Sequence, residues 1–155
     1  MLQRLVADGS VRPVNGTAFA VTPTLREAYA EGDDDELADV ALRDAALASL
    51  RLLGGEGADG LPARRAVLEA EADDVTLRPD LDDAVVRISG DIPLGRVIAA
   101  YVDNAAAEPA VQAAVEAVDE ADLGDEDAEL TVGDAQDHDL AWYAPQELPF
   151  LLELL

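Results

Sequence analysis

The apolar half of this 155-residue sequence consists almost entirely of small and aliphatic side chains. Only six residues are aromatic: two Phe, three Tyr and one Trp. An apolar content of 50% excludes global disorder, and the length suits one domain with a core of its own. We therefore expect a core of Leu, Val and Ala that contains few large side chains.

Acidic residues greatly outnumber basic ones, with 34 acids against ten arginines, no lysine and a net charge of −24. Residues 1–96 hold all ten arginines, and residues 97–155 hold 15 acids and no base. Such a surface repels the phosphates of nucleic acids and anionic lipids, so we expect binding to neither. The asymmetry is typical of a solvated acidic face or of a face for a basic protein partner. The acidity itself fits a GC-rich genome or adaptation to salt.

The sequence contains no cysteine, which excludes disulfides, thiolate metal sites and cysteine nucleophiles. It does not begin with a signal-peptide pattern, and it has no apolar stretch long enough to span a membrane. We therefore expect a cytoplasmic protein without a membrane segment.

The order of helical and extended patterns predicts an α+β fold. We expect one acidic domain over residues 1–155, in which helices pack on one face of a small mixed or antiparallel sheet. Helices are predicted at 1–7, 24–30, 37–53 and around 111–118, and one helical turn is predicted at 93–96. The helix at 24–30 begins with a capping box, Thr24 to Glu27. Strands are predicted at 17–21, 65–72, 85–89, 97–102 and 130–132, while 140–144 fits a strand or a helix. A flexible loop is expected at the glycines of 54–60, and the predicted buried face of the long helix comprises Leu42, Ala46, Leu50 and Leu53.

His138 is the only histidine, and it lies between Asp137 and Asp139. It fits a general base or a pH sensor, or simply a solvated polar turn. A base needs a nucleophile within hydrogen-bond reach, and none of the three serines lies in a Gly-x-Ser-x-Gly elbow. The acidic clusters fail the EF-hand spacing, and the glycine cluster lacks the Lys-Ser/Thr of a phosphate loop. We therefore expect no catalytic residue, cofactor or dedicated metal site.

The C-terminal segment 141–155 has an unusual content, since it holds Trp142, Tyr143, Phe150 and five leucines. An exposed segment of this kind is an interaction patch, whereas a segment that folds back completes the core. We favour the second role, with Trp142 in the core and Phe150 covering a neighbouring apolar surface. Pro145 and Pro149 are expected to divide the segment into two short pieces.

Three segments, Val21–Tyr29, Ala46–Leu53 and Asp137–Pro149, together resemble a family of uncharacterised proteins from high-GC bacteria. The family is defined only as a domain of unknown function, so the resemblance implies no activity, ligand or site residue. Its members begin with a short extended segment ahead of the position matching Met1. The resemblance therefore implies that an N-terminal strand is missing here, which leaves a sheet edge exposed.

These observations favour a non-catalytic cytoplasmic interaction or accessory domain, a monomer or weak homodimer with an unknown protein partner. One alternative is a carboxylate-based enzyme with His138 as an assisting base. Another is an acidic mimic of nucleic acid. The candidate interaction or pocket residues are His138, Trp142, Tyr143 and Phe150.

Overall fold

The computed structural model describes residues 1–56 and 63–154, and its elements confirm the predicted α+β class. In the described chain the α-helices are α1 (Leu2–Asp8), α2 (Pro23–Ala28), α3 (Asp34–Glu56), α4 (Glu108–Asp122), α5 (Glu126–Gln136) and α6 (Leu148–Leu154). The strands are β1 (Ser10–Val11), β2 (Thr17–Phe19), β3 (Ala66–Ala70), β4 (Val75–Leu77), β5 (Val85–Ile88), β6 (Ile92–Pro93), β7 (Val97–Val102) and β8 (Ala141–Tyr143). Short 3₁₀ turns lie at Val14–Gly16, Leu94–Arg96, Ala105–Ala107 and Pro145–Glu147.

Local signals set most helix ends. α1 ends where Gly9 adopts the left-handed conformation, with φ 77°, because glycine has no Cβ to clash there. The N-cap of α2 is Thr22, two residues before Thr24 of the predicted capping box. Thr22 caps it by accepting a hydrogen bond from the Leu25 backbone N–H, and Pro23 occupies the first turn.

Two helices correct predictions from the sequence. α3 continues through Gly54 to Glu56, so the expected loop does not start at Gly54, and its remainder, 57–62, lies outside the described residues. The strand predicted at 130–132 is wrong, because these residues lie inside α5. Asp125 caps α5 by accepting from the Ala128 N–H, and a continuous helix follows from this start.

The described contacts divide into two compact units, Met1–Ala45 with Ala70–Ile98, and Ala46–Glu69 with Ala99–Leu155. The first unit contains an antiparallel pair, β1-β6, and an antiparallel three-stranded sheet in the order β2-β5-β4. A small core of Leu25, Leu37 and Ala84 lies in this unit, with Phe19 packed against it.

The second unit contains the packed helices α4 and α5 and a sheet in the order β3-β7-β8. Its core confirms part of the predicted helix face, because Ala46 and Leu50 are buried. Leu53 is only half-buried, as is Leu42 in the first unit. Leu50 packs with small residues of α4 and α5 and of the turn before α4: Ala107, Val111, Ala114, Val118 and Ala135. In the described part of the chain, no helix has the length and apolar character needed to cross a bilayer.

Candidate interaction surface

A buried ion pair lies at one end of the β3-β7-β8 sheet. Arg65 directly precedes β3, and Asp103 directly follows β7, so the sheet brings together two residues that are 38 positions apart. The guanidinium donates from Nε and Nη2 to the two carboxylate oxygens, at 2.9 and 2.8 Å. The backbone N–H of Arg65 also donates to Asp103, at 2.7 Å. The desolvated carboxylate therefore has several donors, which is what a buried charge requires.

The same guanidinium holds the chain that leads into β8. Its Nη1 donates to the Gln136 side-chain oxygen at 2.8 Å, and its Nη2 donates to the His138 carbonyl oxygen at 2.9 Å. His138 itself is half-buried, and its described contact uses the backbone. Arg65 thus fixes the end of α5 and the following loop, and so sets where β8 begins.

The only tryptophan of the chain lies on β8, the edge strand after β7. Trp142 is the direct antiparallel partner of Tyr101 on β7, so the two rings lie on the same face of the sheet. Trp142 is 57% exposed, while Tyr101 is half-buried. The prediction that Trp142 packs into the core is therefore wrong.

The physical reason is the alternation of side chains along β8. Neighbouring residues of a strand point to opposite faces. Tyr143 is paired with Ala100, so Tyr143 and Trp142 point to opposite faces of the sheet, and Tyr143 is half-buried where Trp142 is exposed. The two candidate aromatics are adjacent in sequence, yet they do not line one common pocket.

The last helix corrects a second expectation about the tail. α6 turns Leu148 and Leu151 inward at a spacing of three residues, and both are buried. Phe150, 68% exposed, and Leu154 lie one turn apart on the opposite side, so Phe150 does not cover an apolar surface as predicted. Pro145 divides the segment as expected, because it begins a 3₁₀ turn between β8 and α6, whereas Pro149 lies inside the first turn of α6 and does not divide it. The tail therefore completes the core with leucines and leaves Trp142 and Phe150 exposed.

The charge of the second unit is almost entirely uncompensated. The unit contains 18 acidic residues and three arginines, a net charge of −15. Each arginine is paired with a carboxylate of the same unit: Arg51 with Asp122, Arg64 with Glu108 and Arg65 with Asp103. Hydrogen bonds from Arg51 hold the pKa of Asp122 below its ordinary value. The guanidinium groups are thus bound internally, so the charge that this unit presents to a partner is that of its carboxylates.

The first unit contains a shallow depression of about 200 Å³, and none of the four predicted residues lines it. Its apolar floor includes Ile88 and Ile92, and its rim includes Asp73 and Arg96. Arg96 binds Asp73 through two hydrogen bonds and lowers its pKa, so the cation at this rim is already paired.

Sequence reasoning missed Tyr101, Arg65 and Asp103. Tyr101 lies within a strand whose limits were predicted correctly, but its pairing with Trp142 depends on register across 41 positions. Arg65 begins the predicted strand 65–72 and Asp103 directly follows the predicted strand 97–102, but neither local pattern indicates that the two residues pair.

Comparison with known proteins places the chain in one family. No curated protein and no solved structure matches it. A model of a family of unknown function matches residues 1–152, which is nearly the full sequence. The family resemblance seen in the sequence is thereby confirmed, and the chain belongs to DUF6912, a family of unknown function.

Proposed function

We propose that this chain is a non-catalytic interaction domain whose second unit binds a basic segment of a partner protein. The observation that carries the proposal is the state of the arginines in that unit. All three are held by carboxylates of the same unit, while 18 acidic residues share the unit with them. A surface of this kind attracts and steers a cationic partner over distances of about a Debye length.

Exposed apolar groups in the same unit support binding beyond simple charge attraction. Trp142, Phe150 and Leu154 are all exposed, in a chain that has only six aromatic residues. Aromatic side chains dominate the energetics of protein interfaces. A partner segment that combines basic and apolar residues matches both features.

The same charge argues against other partners. Self-association brings two units of net charge −15 together, so we propose a monomer or at most a weak dimer. Nucleic acid and anionic lipid are repelled by the same carboxylates. The cysteine-free sequence supports a location in the cytoplasm.

The test is fluorescence anisotropy with a labelled synthetic peptide in which basic residues alternate with valine. We expect saturable binding that weakens as added salt shortens the Debye length from about 30 Å to about 10 Å. A peptide with glutamate in place of the basic residues is expected not to bind. Absence of binding by the basic peptide at low salt contradicts the proposal.

Two charge-matched variants assign the binding to a unit. Each replaces four exposed carboxylates by amides, so the net charge changes equally in both. The second-unit variant carries Asp119→Asn, Glu120→Gln, Glu129→Gln and Glu153→Gln, and the first-unit variant carries Asp8→Asn, Asp39→Asn, Glu27→Gln and Glu31→Gln. We expect the second-unit variant to lose severalfold more affinity. Equal losses indicate nonspecific attraction to the whole chain and contradict the proposal.

A further inference from the structure

We propose that the Tyr101–Trp142 pair, together with the acidic segment that leads into β8, is a docking site for an arginine-bearing extended segment of the partner. This inference rests on the proposed function and names the site and its preferred side chain. It is carried by the position of the two aromatic rings, the anchoring of the segment before β8 and the charge of that segment.

The two aromatic residues form a platform on one face of the sheet, at its β8 edge. They are directly opposed on β7 and β8, so their Cβ atoms lie about 4.5–5.5 Å apart. The ring of Trp142 is the more exposed of the two. Tryptophan is the side chain over which a cation binds best, and the interaction strengthens as the site is desolvated.

Carboxylates flank the platform in a segment that Arg65 holds in place. The guanidinium of Arg65 binds Gln136 and the His138 carbonyl. The two aspartates on either side of His138, Asp137 and Asp139, are exposed. Asp139 precedes Trp142 by three residues, which is at most about 11 Å of extended chain. Neighbouring residues of an extended partner segment are within reach of both the ring and the carboxylate.

Arginine fits this arrangement better than lysine. A guanidinium stacks flat on an aromatic ring and still donates in its plane to a carboxylate, whereas an ammonium is a compact and strongly hydrated charge. The three arginines of the second unit form ion pairs with Asp122, Glu108 and Asp103. None of these ion pairs involves Asp137 or Asp139, the carboxylates beside the platform. A second copy of the unit, with net charge −15, is repelled from this surface.

The probes are two labelled peptides, one with arginine alternating with valine and the other with lysine in place of arginine. We expect the arginine peptide to bind the full chain at least about threefold more tightly than the lysine peptide. It is also expected to change the emission of Trp142, the only tryptophan. Trp142→Ala is expected to abolish the preference for arginine, and Trp142→Phe to retain part of it.

Matched variants separate the site from the rest of the surface. Tyr29→Ala removes an aromatic residue of similar exposure from the first unit, and we expect it to leave the preference for arginine intact. The double variant Asp137→Asn/Asp139→Asn is expected to weaken the arginine peptide more than Glu120→Gln/Glu129→Gln does. Circular dichroism establishes that each variant is folded, which we expect because all the replaced side chains are exposed.

The outcomes distinguish this inference from the proposed function. Equal affinity for the two peptides, unchanged by Trp142→Ala, overturns the docking site while binding of a basic segment stands. An arginine preference that is lost on Tyr29→Ala and kept on Trp142→Ala also overturns it. If neither peptide binds, the proposed function and the docking site both fail.

Discussion

Arg65 donates two parallel hydrogen bonds to Asp103, at 2.9 and 2.8 Å, in a pair whose side chains are 1% and 0% exposed. Such a pair is expensive to desolvate, and the fold compensates by giving the guanidinium two further acceptors, Gln136 and the His138 carbonyl. The pair therefore links β3 and β7 to the segment that carries β8.

Removing one partner of this pair is expected to be strongly destabilising. Asp103→Ala leaves a buried guanidinium without its counter-charge, and we expect a loss of about 3–5 kcal/mol in the free energy of unfolding. Denaturant titration measures it. Replacing both residues by apolar ones, Arg65→Met with Asp103→Leu, is expected to recover much of the loss. Arg78→Ala, in an exposed pair with Asp80, serves as a control with little effect. An equally small effect for Asp103→Ala indicates that water reaches the guanidinium.

Leu50 tests the core of the second unit. It is fully buried against Val111, Ala114 and Val118, so Leu50→Ala is expected to cost about 2–5 kcal/mol through lost burial and a residual cavity. Leu52→Ala on the same helix is the matched control, because Leu52 is exposed and its change is expected within about 0.5 kcal/mol. Similar values for the two variants place α3 on the surface instead.

The tail allows a comparison between neighbouring residues. Leu151 is buried and Phe150 is exposed, although Phe150 is the larger side chain. Leu151→Ala is expected to destabilise the chain by about 2–5 kcal/mol, whereas Phe150→Ala is expected to change stability by less than about 1 kcal/mol. Thermal and denaturant unfolding measure both. The reverse order indicates that α6 is rotated relative to the orientation described.

Asp44 contributes to the pH dependence of stability in the first unit. Burial, and then repulsion from Asp82 and Asp83, raise the pKa of Asp44. Between pH 3.8 and the raised pKa, the native state therefore binds more protons than the unfolded state. The free energy of unfolding falls as the pH rises through this range. The penalty is fully present once the pH lies above the raised pKa.

Asp44→Asn removes that penalty. We expect it to stabilise the chain at pH 7 by up to about 1 kcal/mol and to lose this advantage below pH 3.8. Glu31→Gln, at an exposed site of the same unit, controls for the loss of one negative charge. Unfolding titrations at both pH values measure the difference. An advantage that is equal at both values contradicts the assignment to Asp44.

Features with a local cause were predictable from the sequence. The limits of β7 agree with the predicted 97–102, and α1 ends one residue beyond the predicted 1–7, just before Gly9. Alternation and a left-handed glycine act over a few residues, so the sequence carries them directly. The strand predicted at 130–132 failed because three apolar or β-branched residues also fit a helix, and the cap at Asp125 decides between the two.

The candidate surface was only half predictable. The unusual content of the tail identified Trp142 and Phe150, but their exposure depends on which neighbours face the core. Tyr143 and Leu151 occupy the inner positions, so the larger side chains beside them face outward. That choice follows from strand register and helix rotation, which are set by contacts across the fold. The same holds for Arg65 and Asp103, whose separation of 38 residues leaves no local signal.

Trp142 lies at the surface, and the fluorescence of this single tryptophan tests its position most directly. We expect the native chain to emit near the wavelength of the unfolded chain and to be quenched readily by acrylamide, because Trp142 is 57% exposed. Addition of the arginine peptide is expected to shift the emission to shorter wavelength and to protect the ring. A native emission already shifted to short wavelength and protected from acrylamide places Trp142 in the core and contradicts the account.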